Sequence, residues 1–198
     1  MISEPMTLAT DYLLAAVTGA AGVLTLRTAA GQSSRRSWGI AFLALALAAA
    51  LGGTHHGFAL QALWKPTVLT VGVASCGMLA GSAFATTRGA LRQALLGFAV
   101  AKLAVFWLWT WRDDRFIWVL ADTAIAFAAV ALLHALRLRD AGSRSILAGV
   151  GLSLAAAAVQ ASGLDLHRHF NHNDLYHVIQ IAAIALYYRG VRRLTDQR

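Results

Sequence analysis

Residues 91–136 read LRQALLGFAVAKLAVFWLWTWRDDRFIWVLADTAIAFAAVALLHAL. Two apolar runs lie on either side of Arg112-Asp113-Asp114-Arg115. Each run has about twenty residues, the length a helix needs to cross the hydrocarbon core of a bilayer. Four consecutive charged residues have no place in hydrocarbon, so they mark a turn between two spans, residues 91–111 and 116–136. The connection is so short that the two spans are expected to form an antiparallel hairpin.

The same alternation continues in both directions. Further spans are predicted at residues 10–26, 38–60, 66–86, 145–163 and 174–191, giving an all-α, polytopic seven-transmembrane-helix bundle. The polar breaks are GQSSRR at 31–36, Lys65-Pro66, and DAGSR at 140–144. Composition agrees. Of 198 residues, 58% are hydrophobic and only 13% charged, with mean hydropathy +0.60. A soluble domain carries about 25% charged residues, so a soluble enzyme or a disordered chain is a poor reading. One domain over residues 1–198 is expected.

The net charge of +8 and pI near 10.8 do not point to nucleic acid, because no basic stripe with interleaved aromatics is present. The charge is topogenic. Arg27, Arg35, Arg36, Arg88, Arg92, Arg137, Arg139, Arg144, Arg189, Arg192, Arg193 and Arg198 fall on one side, and Lys65, Arg112, Arg115 and Arg168 on the other. The positive-inside rule then puts the N-terminus outside and the C-terminus in the cytoplasm. Residues 1–11 hold no basic residue, so the first apolar segment is expected to be retained rather than cleaved. Cys76 is the one cysteine, which leaves no intrachain disulfide. Brevity and an Ala/Arg-rich composition favour a bacterial inner membrane.

Gly77 with Gly81, and Gly149 with Ser153, repeat the small-xxx-small spacing that lets helices approach closely in lipid. Intramolecular packing is the default use, with a dimer face through Gly77 and Gly81 as the alternative. Oligomeric state is not legible.

Placed by depth, six of the seven histidines fall toward the outer side: His55 and His56 at the end of the second span, and His167, His169, His172 and His177 around the start of the seventh. Asp11 opens the first span at that side. Asp122 sits about two turns into the fifth, with no local basic partner and with Lys102 as one candidate on another helix. Ionisable groups in a membrane are costly unless paired, so a convergent set marks a site. Asn173 and Asp174 also suit a helix N-cap, and His167 and His169 read as surface residues. Three chemistries suit such a cluster. Imidazoles from two helices can hold zinc and activate a water, with Asp122 moving protons. Two histidines can ligate haem iron. A polar vestibule can bind without catalysis.

The histidine at the outer end of the second span, together with Asn173-Asp174-Leu175-Tyr176-His177-Val178 opening the seventh, resembles the membrane hydrolase superfamily of alkaline ceramidases and adiponectin-type receptors. The segment FNHNDLYH at 170–177 also resembles uncharacterised bacterial membrane proteins. The resemblance implies a zinc-dependent hydrolase of lipid amides or esters, with zinc held by His55 or His56, His172 and His177. It also implies Asp122 or Asp11 as the carboxylate, Thr54 in the position of a serine, and membrane lipids as partners. The family resembled carries an HxxxH pair in its seventh span, and the chain departs from it where Asn173 takes the place of the first histidine. Positions 173 and 177 share a helix face at about 100° per residue, whereas 172 and 177 do not. The competing expectation is a non-enzymatic membrane subunit or receptor with a structural histidine cluster. A haem-binding electron-transfer subunit comes third.

Overall fold

A computed structural model describes residues 2–197. Met1, and Arg198 of the orientation set, lie outside the described residues. Among the described residues the chain forms seven helices: α1 (Pro5–Arg27), α2 (Ser33–Phe58), α3 (Trp64–Thr86), α4 (Gly89–Arg112), α5 (Phe116–Ala135), α6 (Ala141–Ser162) and α7 (His172–Val191). A single 3-10 turn, Gln61–Leu63, leads into α3. Among the described residues, six helices are long and apolar enough to cross a membrane. The exception, α7, equals α5 in length but is diluted by His172, Asn173, Asp174, His177 and Gln180. This is a helical membrane protein.

Six helices close into a ring in the order α1, α2, α3, α5, α6, α7 and back to α1. Outside the ring, α4 packs against α3 and reaches α5 through side chains, Lys102 to Asp122 and Trp109 to Trp118. The antiparallel hairpin expected of α4 and α5 is present, joined through these contacts. Their tight connection reverses the chain, and α3 is the principal neighbour of both. In that connection Arg115 hydrogen-bonds to both carboxylate oxygens of Asp113, which holds the Asp113 carboxyl well below its usual range.

Trp38, Phe42, Met78, Ile184 and Tyr187 fill the middle of the ring. The small residues act within the chain. A Cβ on Gly81 would fall 2.8 Å from the Ser34 carbonyl oxygen, and one on Gly77 2.9 Å from that of Ser37, so both glycines seat α3 against the backbone of α2. Ser153 bonds to Gln180 and contacts the Tyr187 hydroxyl, joining α6 to α7.

At the arginine-rich end, the segment after α7 crosses back over the ring. Asp196 accepts from the backbone amides of Ser33 (2.7 Å) and Ser34 (2.9 Å), capping α2, whose own Gln32 makes no side-chain cap. Arg35 donates to the Leu194 carbonyl, and Gln197 bonds to Phe84 and Ala85 at the end of α3.

Candidate functional site

The start of α7 is fixed by its own sequence. Asn171 is the N-cap, its side chain accepting from the amides of Asn173 and Asp174 while Asp174 accepts from the amide of Asn171. This reciprocal box satisfies amides that the first helical turn leaves without partners. It also sets the rotation of the helix, so that Asn173 and His177 face inward and His172 faces out. The sequence had suggested Asn173 or Asp174 as the cap; the cap is Asn171, three residues before Asp174.

From that register His177 reaches α1. Its Nδ1 is 3.0 Å from Thr10 Oγ1 and its Nε2 is 3.1 Å from Asp11 Oδ1. The Thr10 hydroxyl points between the Thr7 carbonyl (3.1 Å) and Asp174 Oδ1 (3.4 Å). A hydroxyl donating there accepts from the Nδ1–H of His177, and Nε2 is left to share a proton with Asp11. All four groups are buried: Thr10 7%, Asp11 4%, Asp174 1% and His177 8% exposed. Asp11 fits because α2 offers no side chain opposite it; a Cβ on Gly53 would lie 2.7 Å from the Asp11 Cβ. Asp11 Oδ2 is buried and has no hydrogen-bond partner among the described residues.

Asp11, His56, Asn173 and His177 line one cavity of about 280 Å³. Asn173 accepts from Gln160 through Oδ1, which leaves its amide N–H groups free to donate. His56 Nδ1 is 3.7 Å from Glu4 Oε2. Beyond lies an apolar chamber of about 150 Å³, walled by residues such as Phe42, Met78 and Phe127. The two spaces share Leu45, Val71, Phe116, Gln160 and Tyr176. A polar compartment therefore adjoins an apolar one.

The other expected site residues lie elsewhere. His55 turns to the Leu60 carbonyl (3.1 Å) and stacks on Trp64. Thr54 bonds to the Ala50 carbonyl and contacts the Tyr12 hydroxyl at 2.9 Å. His172 Nδ1 pairs with Asp165 at 2.8 Å, and hydrogen bonds from His172 hold the Asp165 carboxyl below its usual range. Asp122 forms a second buried cluster. Its Oδ1 is 2.5 Å from Lys102 Nζ and its Oδ2 2.5 Å from Ser75 Oγ, which also accepts from Lys102 at 2.9 Å. Lys102 is thus the partner that Asp122 required. Ser75 and Thr10 carried no sequence signal of a role, since a lone hydroxyl in a span usually bonds its own helix backbone.

Zinc can be tested against this arrangement. Two imidazoles and a carboxylate are the donor types of a catalytic zinc site, and Asp11 Oδ2 is unengaged. The Nε2 of His177 is committed to Asp11, however, and among the described residues no three His, Cys, Asp or Glu side chains converge closely enough to hold a metal ion. The donors are of the right chemistry but are not assembled around a common point among the described residues.

Fold and site together define a helical membrane protein with a buried carboxylate–imidazole pair facing an internal cavity. A family of unknown function (DUF6962) matches residues 6–196, and the chain belongs to it. No curated protein and no solved structure matches the chain.

Proposed function

We propose that this protein is a membrane-embedded hydrolase of lipid amides or esters, related in its reaction to the alkaline-ceramidase group that the sequence resembles. The observation that carries this reading is the buried, unpartnered Oδ2 of Asp11, a residue that lines one cavity with His56, Asn173 and His177. An unsatisfied carboxylate oxygen in a low-dielectric site has a strong preference for a proton donor, and water is the donor at hand.

Asp11 takes a proton from a cavity water on Oδ2 while the proton shared through Oδ1 passes to His177 Nε2. The hydroxide adds to the carbonyl carbon, and the amide N–H groups of Asn173 and the ring N–H of His56 stabilise the oxyanion. Collapse of the tetrahedral intermediate breaks the C–N or C–O bond, and the stored proton returns through Asp11 to the leaving amine or alcohol. Thr10 and Asp174 hold the imidazole in register. The adjoining apolar chamber receives acyl chain; a cavity of about 150 Å³ takes up a benzene-sized group, so it holds only a short stretch of methylenes. By the arginine bias the site opens toward the outer leaflet, with the arginine-rich end in the cytoplasm of a bacterial inner membrane.

A second reading rests on a different observation: both ring nitrogens of His177 are already engaged. The network would then be a structural seam between α1 and α7 in a non-enzymatic membrane subunit.

The test is release of fatty acid from a fluorescent N-acyl sphingoid amide and a matched acyl ester by the reconstituted full chain. Wild type is expected to cleave one of them, and D11N and H177A to lose about 100-fold or more in rate while eluting as folded protein. No release from either substrate would leave the structural reading standing. Metal analysis on the same samples separates a further case: about one zinc per chain, lost in H177A, would mean that Asp11, His56 and His177 close around an ion.

A further inference from the structure

At the opposite end of the bundle, residues 136–139 alternate Leu-Arg-Leu-Arg between α5 and α6. The alternation separates two surfaces. Leu136 and Leu138 are 76% and 55% exposed, facing away from the protein, whereas Arg137 and Arg139 line a cavity of about 450 Å³. Arg193 lines it from beyond α7, and Gly142 and Ser143 bring in the first turn of α6.

The charge in this cavity is not balanced from within. Asp140 also lines it, but its carboxylate pairs with Arg137 at 3.2 Å. Among the described residues neither Arg139 nor Arg193 has a carboxylate within 4.0 Å. Asp140 occupies the N-cap position of α6 yet makes no side-chain cap, so it does not quench the amides of that turn. Two free guanidinium forks and the positive end of a helix therefore face one space.

We propose that this cavity binds the phosphate of an anionic phospholipid. Guanidinium groups match phosphate oxygens in pairs, and uncapped first-turn amides add donors of the same kind. The exposed Leu136 and Leu138 select a lipid over a free phosphate, because they give the acyl chains an apolar surface beside the headgroup. Basic pockets between transmembrane helices are a recurrent site for such headgroups.

The experiment is thermal unfolding of the full chain in a neutral detergent, followed by tryptophan fluorescence. Dioctanoyl phosphatidylglycerol, dioctanoyl phosphatidylcholine and inorganic phosphate are titrated separately. Phosphatidylglycerol is expected to raise the Tm saturably, and phosphatidylcholine is not. The R139Q/R193Q double variant is expected to bind phosphatidylglycerol about tenfold or more weakly. The R27Q/R36Q variant, which removes two charges at the same end but outside the cavity, is expected to keep the full shift. An equal shift with phosphatidylcholine, or equal loss in the two double variants, would overturn the site. An equal shift with inorganic phosphate alone would overturn its assignment to lipid.

Discussion

Lys102 Nζ lies 2.5 Å from Asp122 Oδ1, with the two side chains 6% and 3% exposed and Ser75 bonded to both. The pair bridges α4 and α5, so two charges tie the peripheral helix to the ring. Removing one partner leaves the other charge buried and alone, at a cost of about 3–5 kcal/mol, whereas replacing both with apolar residues is often neutral. Lys102→Met is therefore expected to be severely destabilised in detergent, and K102M/D122L to recover most of the loss. Urea or thermal unfolding of the three proteins decides it; a double variant no better than the single one would contradict the pairing.

Asp11 offers His177 its Nε2 partner inside the bundle. Asp11→Ala strands that nitrogen and is expected to lose about 1–3 kcal/mol, while Asp11→Asn keeps a hydrogen-bonding group in place and loses less. The ring-nitrogen chemical shifts of His177 are expected to move in both. Unchanged shifts would mean that the two side chains do not meet in solution.

The α2–α3 seam depends on the absence of a side chain at Gly81. Gly81→Leu is expected to cost at least the roughly 1–3 kcal/mol of an overpacked core and to abolish monodisperse elution. Gly97→Ala on α4, where a Cβ would meet nothing within 4 Å, is expected to be neutral or slightly stabilising. Similar losses at the two positions would argue against the packing.

Asp196 gives a pH dependence with a definite sign. Burial raises its pKa, but hydrogen bonds from Ser34 and Ser33 outweigh this and hold the folded-state value below the ordinary one. Its stabilisation is therefore complete above an unfolded pKa of about 3.9 and is lost as pH falls through the lower folded value. The carboxylate is only part-buried, so the cap contributes about 1 kcal/mol. Asp196→Ala is expected to lower the Tm at pH 7 and to flatten its fall below about pH 4. A variant with an unaltered acid limb would show that the cap is not formed.

Six of the helices were legible because apolar runs of spanning length alternate with charge, and the seventh as a more polar run after residue 173. The helix ends were less so: α1 starts at Pro5 and α6 at Ala141, before their apolar runs begin. The shared face of Asn173 and His177 followed from helical spacing, and Lys102 was a named candidate for Asp122. Which of His55 and His56 faces inward depends on the rotation of α2, set by Gly53 against Asp11, and adjacent residues carry no sign of it. The place of α4 outside the ring was equally hidden, since a helix apolar all round suits lipid and protein contact alike. Asp122 looked catalytic because an intramembrane carboxylate is costly. The same cost is met here by an ammonium group, and Asp11, at the margin of its span, is the acid left with an oxygen that has no hydrogen-bond partner among the described residues.

The cap on α2 also orders events in time. Ser33 receives its acceptor from a residue 163 positions further along the chain. At about 5–20 residues per second, a ribosome needs on the order of 10 to 30 s to supply it. Throughout that interval the first two helices occupy the bilayer with an open joint, where a chaperone or a membrane protease can still engage the nascent protein. Closure of the joint therefore reports that synthesis has passed the seventh helix.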